Sequence, residues 1–199
     1  MPTAHSDPSL VTAGCFRTML EALSLPGSIH ALPKGASPPD SMSEGMAALC
    51  LALADMDTPL WLDPSADGEC LEWLRFNCGC PLVENPAQAS LACVLDPACM
   101  PPLAAFHQGD AEYPDRSTTV FIAVGNLANA RANGPANRGV RLSGPGIRRE
   151  RAFEAEGLPD AFWKQWQENA AGYPLGVDVF FVSGRGIAAL PRSVRAEVL

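Results

Sequence analysis

The sequence predicts an α/β protein of three layers, a mixed β-sheet with most of its helices outside. Three observations carry that prediction. Early in the chain, short apolar runs alternate with segments of helical spacing, the mark of strands joined by helices. Two runs, 118–124 and 177–183, are rich in apolar and β-branched residues, as strands buried on both faces are. The tight turn Ser183-Gly184-Arg185-Gly186 then leads into another apolar run, which makes an antiparallel hairpin.

The chain has 199 residues, 47% of them apolar, enough for one sizeable core in a single domain over 10–199 behind a tail at 1–9. A net charge of −8 argues against a general nucleic-acid or anionic-membrane surface, though not against a local anion site. Residues 1–7 are polar and carry no apolar leader, and no apolar run reaches ~18 residues, so a cytoplasmic protein without a membrane span is expected. Seven cysteines, an odd number, read in that compartment as small buried hydrophobes. Cys78-Gly79-Cys80 is their only close pair, and His5, His30 and His107 are scattered, so no metal is expected.

Taken in order, Leu10, Phe16, Met19, Leu20 and Leu23 predict a helix over 10–25, which Pro26-Gly27 ends. A short strand at 28–32 and a Pro- and Gly-rich loop at 33–39, holding Lys34, come next. Ser41-Met42-Ser43-Glu44 reads as a capping box with Ser41 at the cap, opening a very apolar and therefore buried helix that ends near 54. Then follow a strand at 60–62, the turn Asp63-Pro64, and a helix to 77 with the stripe Leu71, Trp73, Leu74 and Phe76, stopped by Gly79 and Pro81. Segment 81–89 reads as beginning with a short helical piece, 90–95 as a strand, 97–109 as a short helix or turn and 112–116 as a loop. After the central strand at 118–124, the Asn-, Ala- and Gly-rich 126–139 reads as a flexible insertion, and 139–142 as a strand. A helix over 159–171 sets Phe162, Trp163 and Trp166 on one side; the hairpin of 177–183 with 187–190 follows, and 192–199 adds an edge strand.

The chemistry concentrates at 141–151. A strand runs into Ser143-Gly144-Pro145-Gly146, and six arginines fall close by: Arg131, Arg138, Arg141, Arg148, Arg149 and Arg151, against a single acid, Glu150. Glycines let backbone N–H groups approach a ligand, and guanidinium forks match phosphate and carboxylate oxygens. The stretch is either an oxyanion site or a glycine-rich turn with solvated arginines. Asp55-Met56-Asp57 before Thr58 is either a carboxylate pair for base or magnesium chemistry or an Asx-capped turn. Arg75, in the last turn of its helix, either complements the helix dipole or points at an anion, and Arg17 stands at i−4 from Glu21. The chain has no phosphate-binding G-x-x-x-x-G-K-[ST] loop, no G-x-S-x-G elbow and no H-E-x-x-H.

The segments 16–27, 51–62, 74–76, 142–147, 174–178 and 189–192, in that order, resemble the H-subunit family of the bacterial carbon–phosphorus lyase system. The resemblance covers the chain from about 10 to its end. It implies a homodimer when alone and a core complex with the G, I and J subunits. With G, I and the L protein, such a subunit is needed to move methylphosphonate onto the ribose of ATP, giving ribose 1-methylphosphonate 5-triphosphate. The implied fold is that of the pyridoxal-phosphate-dependent transferases without the cofactor. The lysines agree: Lys34 falls in a loop and Lys164 on the polar side of a helix, neither placed to hold a Schiff base, so no cofactor is expected. Within the matching segments lie Arg17, Pro26, Gly27, Asp57, Thr58, Arg75, Ser143, Gly144, Pro145 and Gly146, and Arg148 and Arg75 are expected as the charged neighbours of the turn. The resemblance names none of them as catalytic. Three readings stay open: a subunit with an anion-contacting surface, an assembly module without a ligand, and an independent small-molecule enzyme.

Overall fold

The computed structural model describes residues 8–129 and 139–199. Helix α1 (Pro8–Ser24) buries Cys15, Met19 and Ala22, and Gly27, at φ +72°, turns the chain out of it. Residues 8 and 9, expected in the tail, are already helical. Strand β1 (His30–Ala31) is short, and helix α2 (Glu44–Leu53) follows. The cap of α2 is Ser43 rather than Ser41: the Ser43 side chain accepts the N–H of Met46, which makes Glu44 the first helical residue instead of the reciprocal partner of a box. As expected of so apolar a helix, six consecutive residues from Gly45 to Cys50 are buried.

Strand β2 (Leu60–Leu62) leads to helix α3 (Gly68–Cys78), capped by Asp67 and ended by Gly79 at φ +65°. The expected stripe on α3 is divided: Leu74 is buried, but Phe76 is 89% exposed. Segment 81–89 begins with a strand, β3 (Leu82–Val83), not a helical piece, because pairing with β2 outweighs the local preference; a 3-10 turn at Pro86–Gln88 comes after it. Strand β4 (Leu91–Val94) and β5 (Thr119–Ala123) are central, with the 3-10 turns Pro97–Cys99, Leu103–Ala105 and Pro114–Arg116 between them. The expected insertion opens with a strand, β6 (Leu127–Ala128); residues 130–138, with Arg131 and Arg138, lie outside the described residues. Then come β7 (Val140–Ser143), β8 (Arg151–Ala155), α4 (Phe162–Ala171), β9 (Asp178–Ser183), β10 (Gly186–Leu190) and β11 (Arg195–Val198).

The chain is mixed α/β around a mixed seven-stranded sheet of order β1-β10-β9-β5-β4-β2-β3. β9, β5, β4, β2 and β3 run parallel, while β10 and β1 are antiparallel additions made by the predicted hairpin and by β1. One face packs against α1, α2 and α3 through Met19, Leu49, Leu74, Phe121 and Phe180. The other packs against α4 and a second, four-stranded sheet, β11-β7-β8-β6, through Phe153, Phe162, Trp166 and Phe181. That second sheet is antiparallel and takes up 192–199 as its edge, so the second face is covered by strands as well as a helix.

Candidate functional site

The turn after β7 is packed on both sides. Gly146 stands at φ +79°, and a Cβ on it would run into the carbonyl oxygen of Ser24 and come within 2.7 Å of Pro26 Cδ. Gly144 stands at φ +135°, and its Cβ would lie 3.1 Å from the carbonyl oxygen of Ser193. Glycine is needed here because the turn is wedged between the end of α1 and the chain entering β11. Ile147 N–H closes it on Gly144 O at 3.1 Å. Arg151, first residue of β8, donates Nη1 to the carbonyls of Leu25 (2.9 Å) and Pro26 (2.6 Å), and Asn129 donates to Gly27 O at 2.9 Å. Segments 16–27 and 142–147, more than a hundred residues apart, thus form one clasp.

The arginines of this stretch divide by role. Arg151 is consumed by the clasp. Arg141 lies between two carboxylates, 3.4 Å from Glu150 and 3.4 Å from Glu197. Arg148 and Arg149 are exposed, make no ion pair among the described residues, and border a surface depression of about 430 Å³ with Ile147 and Glu150. They are what remains of the oxyanion reading; Ser143, Gly144 and Gly146 serve the packing of the turn.

The other sequence candidates lie elsewhere. Arg17 is on the exposed side of α1 and unpaired among the described residues; Glu21 faces His30 instead, at 3.8 Å. Asp57 and Thr58 belong to an Asx-type turn: Asp55 Oδ1 accepts the Thr58 hydroxyl at 2.6 Å and the Asp57 N–H at 3.0 Å. Those bonds, the hydroxyl first, hold the Asp55 carboxyl below its ordinary range. The turn precedes β2, at the amino end of the parallel strands, and Asp57 is exposed. Arg75 lies on α3, over the face opposite the second sheet, so it and Arg148 are not neighbours. It lines a separate cleft with Trp61, Leu71 and Met100.

Sequence reasoning missed two charged residues that organise the region. Arg192 grips Asp178 with Nη2–Oδ2 at 2.6 Å and Nε–Oδ1 at 3.1 Å, joining segments 174–178 and 189–192. Asp63, buried at 2%, accepts the N–H groups of Ser65, Leu95 and Asp96, tying the end of β2 to that of β4. Sequence position alone carries no sign of either partner. The cysteines are free and five of them are buried, with Cys50 and Cys93 sulfurs 3.4 Å apart. The Cys78 thiol hydrogen-bonds the Cys80 sulfur and brings Cys80 down to about 7.

The family described as bacterial phosphonate metabolism protein (PhnH) matches residues 3–197. Among curated relatives, the chain is 32% identical over 195 residues to the α-D-ribose 1-methylphosphonate 5-triphosphate synthase subunit PhnH of Rhizobium meliloti (strain 1021), covering 98% of this chain and 94% of the relative. It is 39% identical over 90 residues to HtxG of Stutzerimonas stutzeri, described as a candidate C-P lyase subunit, covering 45% of this chain and 43% of that one.

Proposed function

Since the chain belongs to the PhnH family of bacterial phosphonate metabolism proteins, we propose that it is a subunit of an α-D-ribose 1-methylphosphonate 5-triphosphate synthase within the carbon–phosphorus lyase system. The observation that carries this is the 32% identity across nearly the whole of both chains. It joins the G, I and J subunits in a core complex, and its role, with G, I and the L protein, is to enable transfer of the ribose triphosphate of ATP to methylphosphonate. The glycosyl-transfer chemistry sits on another subunit. In support, the glycines and Arg151 of the family-like turn are engaged in packing, and Asp55 is engaged in its own turn. Arg148 and Arg149 supply an anion-contacting surface, suited to a polyphosphate or to acidic residues of a partner.

Alone, the chain is a homodimer, and it works in the cytoplasm; among the described residues no helix is long and apolar enough to cross a membrane. The fold is kin to the pyridoxal-phosphate transferases with the cofactor given up. Exposed Lys34, in a loop, and exposed Lys164, on α4, do not fit a Schiff-base site.

The test is reconstitution. The partner subunits are assayed for adenine release from ATP and for the ribosyl phosphonate by phosphorus NMR, with and without this chain. Activity is expected only with it; full activity in its absence overturns the proposal. Arg148→Ala with Arg149→Ala should raise KM for ATP or methylphosphonate about tenfold if the patch meets substrate. Unchanged kinetics with intact co-elution favours the second reading, an assembly module without a ligand.

A further inference from the structure

Strand order in the large sheet reverses at β2. The connection leaving β2 carries α3 over the face shared with α1 and α2, and enters β3 at the sheet edge. The connection leaving β4, the other neighbour of β2, passes over the opposite face, where Leu103 and Phe106 are buried, and enters β5. Adjacent parallel strands whose connections depart over opposite faces leave a crevice beyond their carboxyl ends, where open α/β sheets hold small ligands. Asp63 closes that crevice between β2 and β4 by accepting the N–H groups of Leu95 and Asp96, so it opens toward β3.

The crevice is a cleft of about 700 Å³, within the roughly 300–1,000 Å³ of small-molecule sites. Residues that follow all three strands wall it: Pro64 after β2, Glu84 after β3 and Met100 after β4. The lining is mainly apolar, with Trp61 fixed by its Nε1 donating to Glu84 O at 3.2 Å. Among the described residues Arg75, on α3, is the one cation in its lining, and its guanidinium makes no ion pair or hydrogen bond among them. An apolar wall with one uncommitted guanidinium fits a ligand with an apolar body and one oxyanionic head.

We infer that this cleft binds an organophosphonate larger than methylphosphonate, its phosphonate on Arg75 and its organic group against Trp61 and Met100. The choice of phosphonate among oxyanions rests on the family reading above. The size follows from the cleft, of which a one-carbon phosphonate would fill a small part.

The probe is phenylphosphonate, titrated into the purified full chain by calorimetry and by tryptophan fluorescence. Saturable binding is expected, with Kd below about 1 mM. Arg75→Met should weaken it about tenfold or more through loss of the charge-assisted bonds, and Met100→Trp should abolish it by filling the cleft. Lys164→Met should leave it unchanged, and circular dichroism checks that each variant is folded. No saturation by about 10 mM with folded chain, unchanged affinity in either cleft variant, or equally tight binding of benzoate overturns the inference. A chain that assembles with its partners and supports synthase activity, yet does not take phenylphosphonate, overturns this inference alone and leaves the family reading standing.

Discussion

At the scale of single residues, the arginine stretch turns on where each guanidinium goes. Arg151 spans two carbonyls just past α1; Leu25 O also accepts from Ser28, whereas Pro26 O has Arg151 as its donor among the described residues. Arg151→Ala is expected to cost about 2 kcal/mol, the usual range for a charged donor to carbonyls at a half-buried site, read from the shift in the urea midpoint. Gly146→Ala should cost more than that, since it adds a disfavoured φ and a collision with Ser24 O; a smaller loss than for Arg151→Ala would show the wedge to be soft. Cys80 makes a pH prediction. The Cys78 thiol donates to the Cys80 sulfur and lowers it from 9.0 to about 7. Between those values the folded chain carries a thiolate that the unfolded chain does not, so this contribution to stability is present above 9 and fades as pH falls through 7. Thiolate absorbance near 240 nm should show one titration with a midpoint near 7. Cys78→Ala removes the donor and should move that midpoint upward.

At the scale of elements, legibility followed length and burial. The strand at 60–62 and the hairpin of β9 with β10 were readable because their residues are continuous apolar runs or carry an unmistakable turn. β3 and β6 each have only 2 residues, too few to show an alternation, and exist because a neighbouring strand supplies their hydrogen bonds, whereas the equally short β1 falls within the strand read at 28–32. β8 was hidden for another reason: it begins with the last arginine of the charged stretch, and only Phe153 and Ala155 face inward. The start of α2 shows a rival signal. Two serines stand near it, and the one with an acid three residues on looked like the cap, but Ser43 holds the Met46 N–H at 3.1 Å. Ser43→Ala should therefore cost about 1 kcal/mol, whereas Ser41→Ala should stay within roughly 0.5 kcal/mol. Thermal melts of the two variants separate the registers, and equal losses would mean that the helix start is shared.

At the scale of the whole molecule, local pattern indicated one α/β body but not how its second face is closed. That face depends on contacts between segments far apart in sequence, which no window of residues displays. The candidate site fared likewise: Arg75 was legible as a cation in a family-like segment and Arg148 as one beside the family-like turn, but their separation on opposite faces follows from sheet order alone. Arg192 stands where the chain leaves the large sheet after β10 for the small one at β11, and it holds a carboxylate and a loop carbonyl at once. Its backbone N–H and Nε reach Asp178 Oδ1 at 2.8 and 3.1 Å, Nη2 reaches Oδ2, and Nη1 reaches Pro114 O at 2.6 Å. Asp178 opens β9, a central strand, so the joint between the sheets is anchored to the centre of the fold. Removing one partner of a largely desolvated pair strands the other; the side chains here are 13% and 25% exposed, so Arg192→Met should cost about 2 kcal/mol, less than the roughly 3–5 kcal/mol of a fully buried pair because water reaches part of this one. The loss should be directional. Hydrogen exchange in the variant should quicken in β11 and β7, which hang from the joint, before it does in β4 and β5, whose pairing lies within the parallel part of the large sheet. Equal acceleration in all four strands would mean that the two sheets open as one unit and that Arg192 is not their joint.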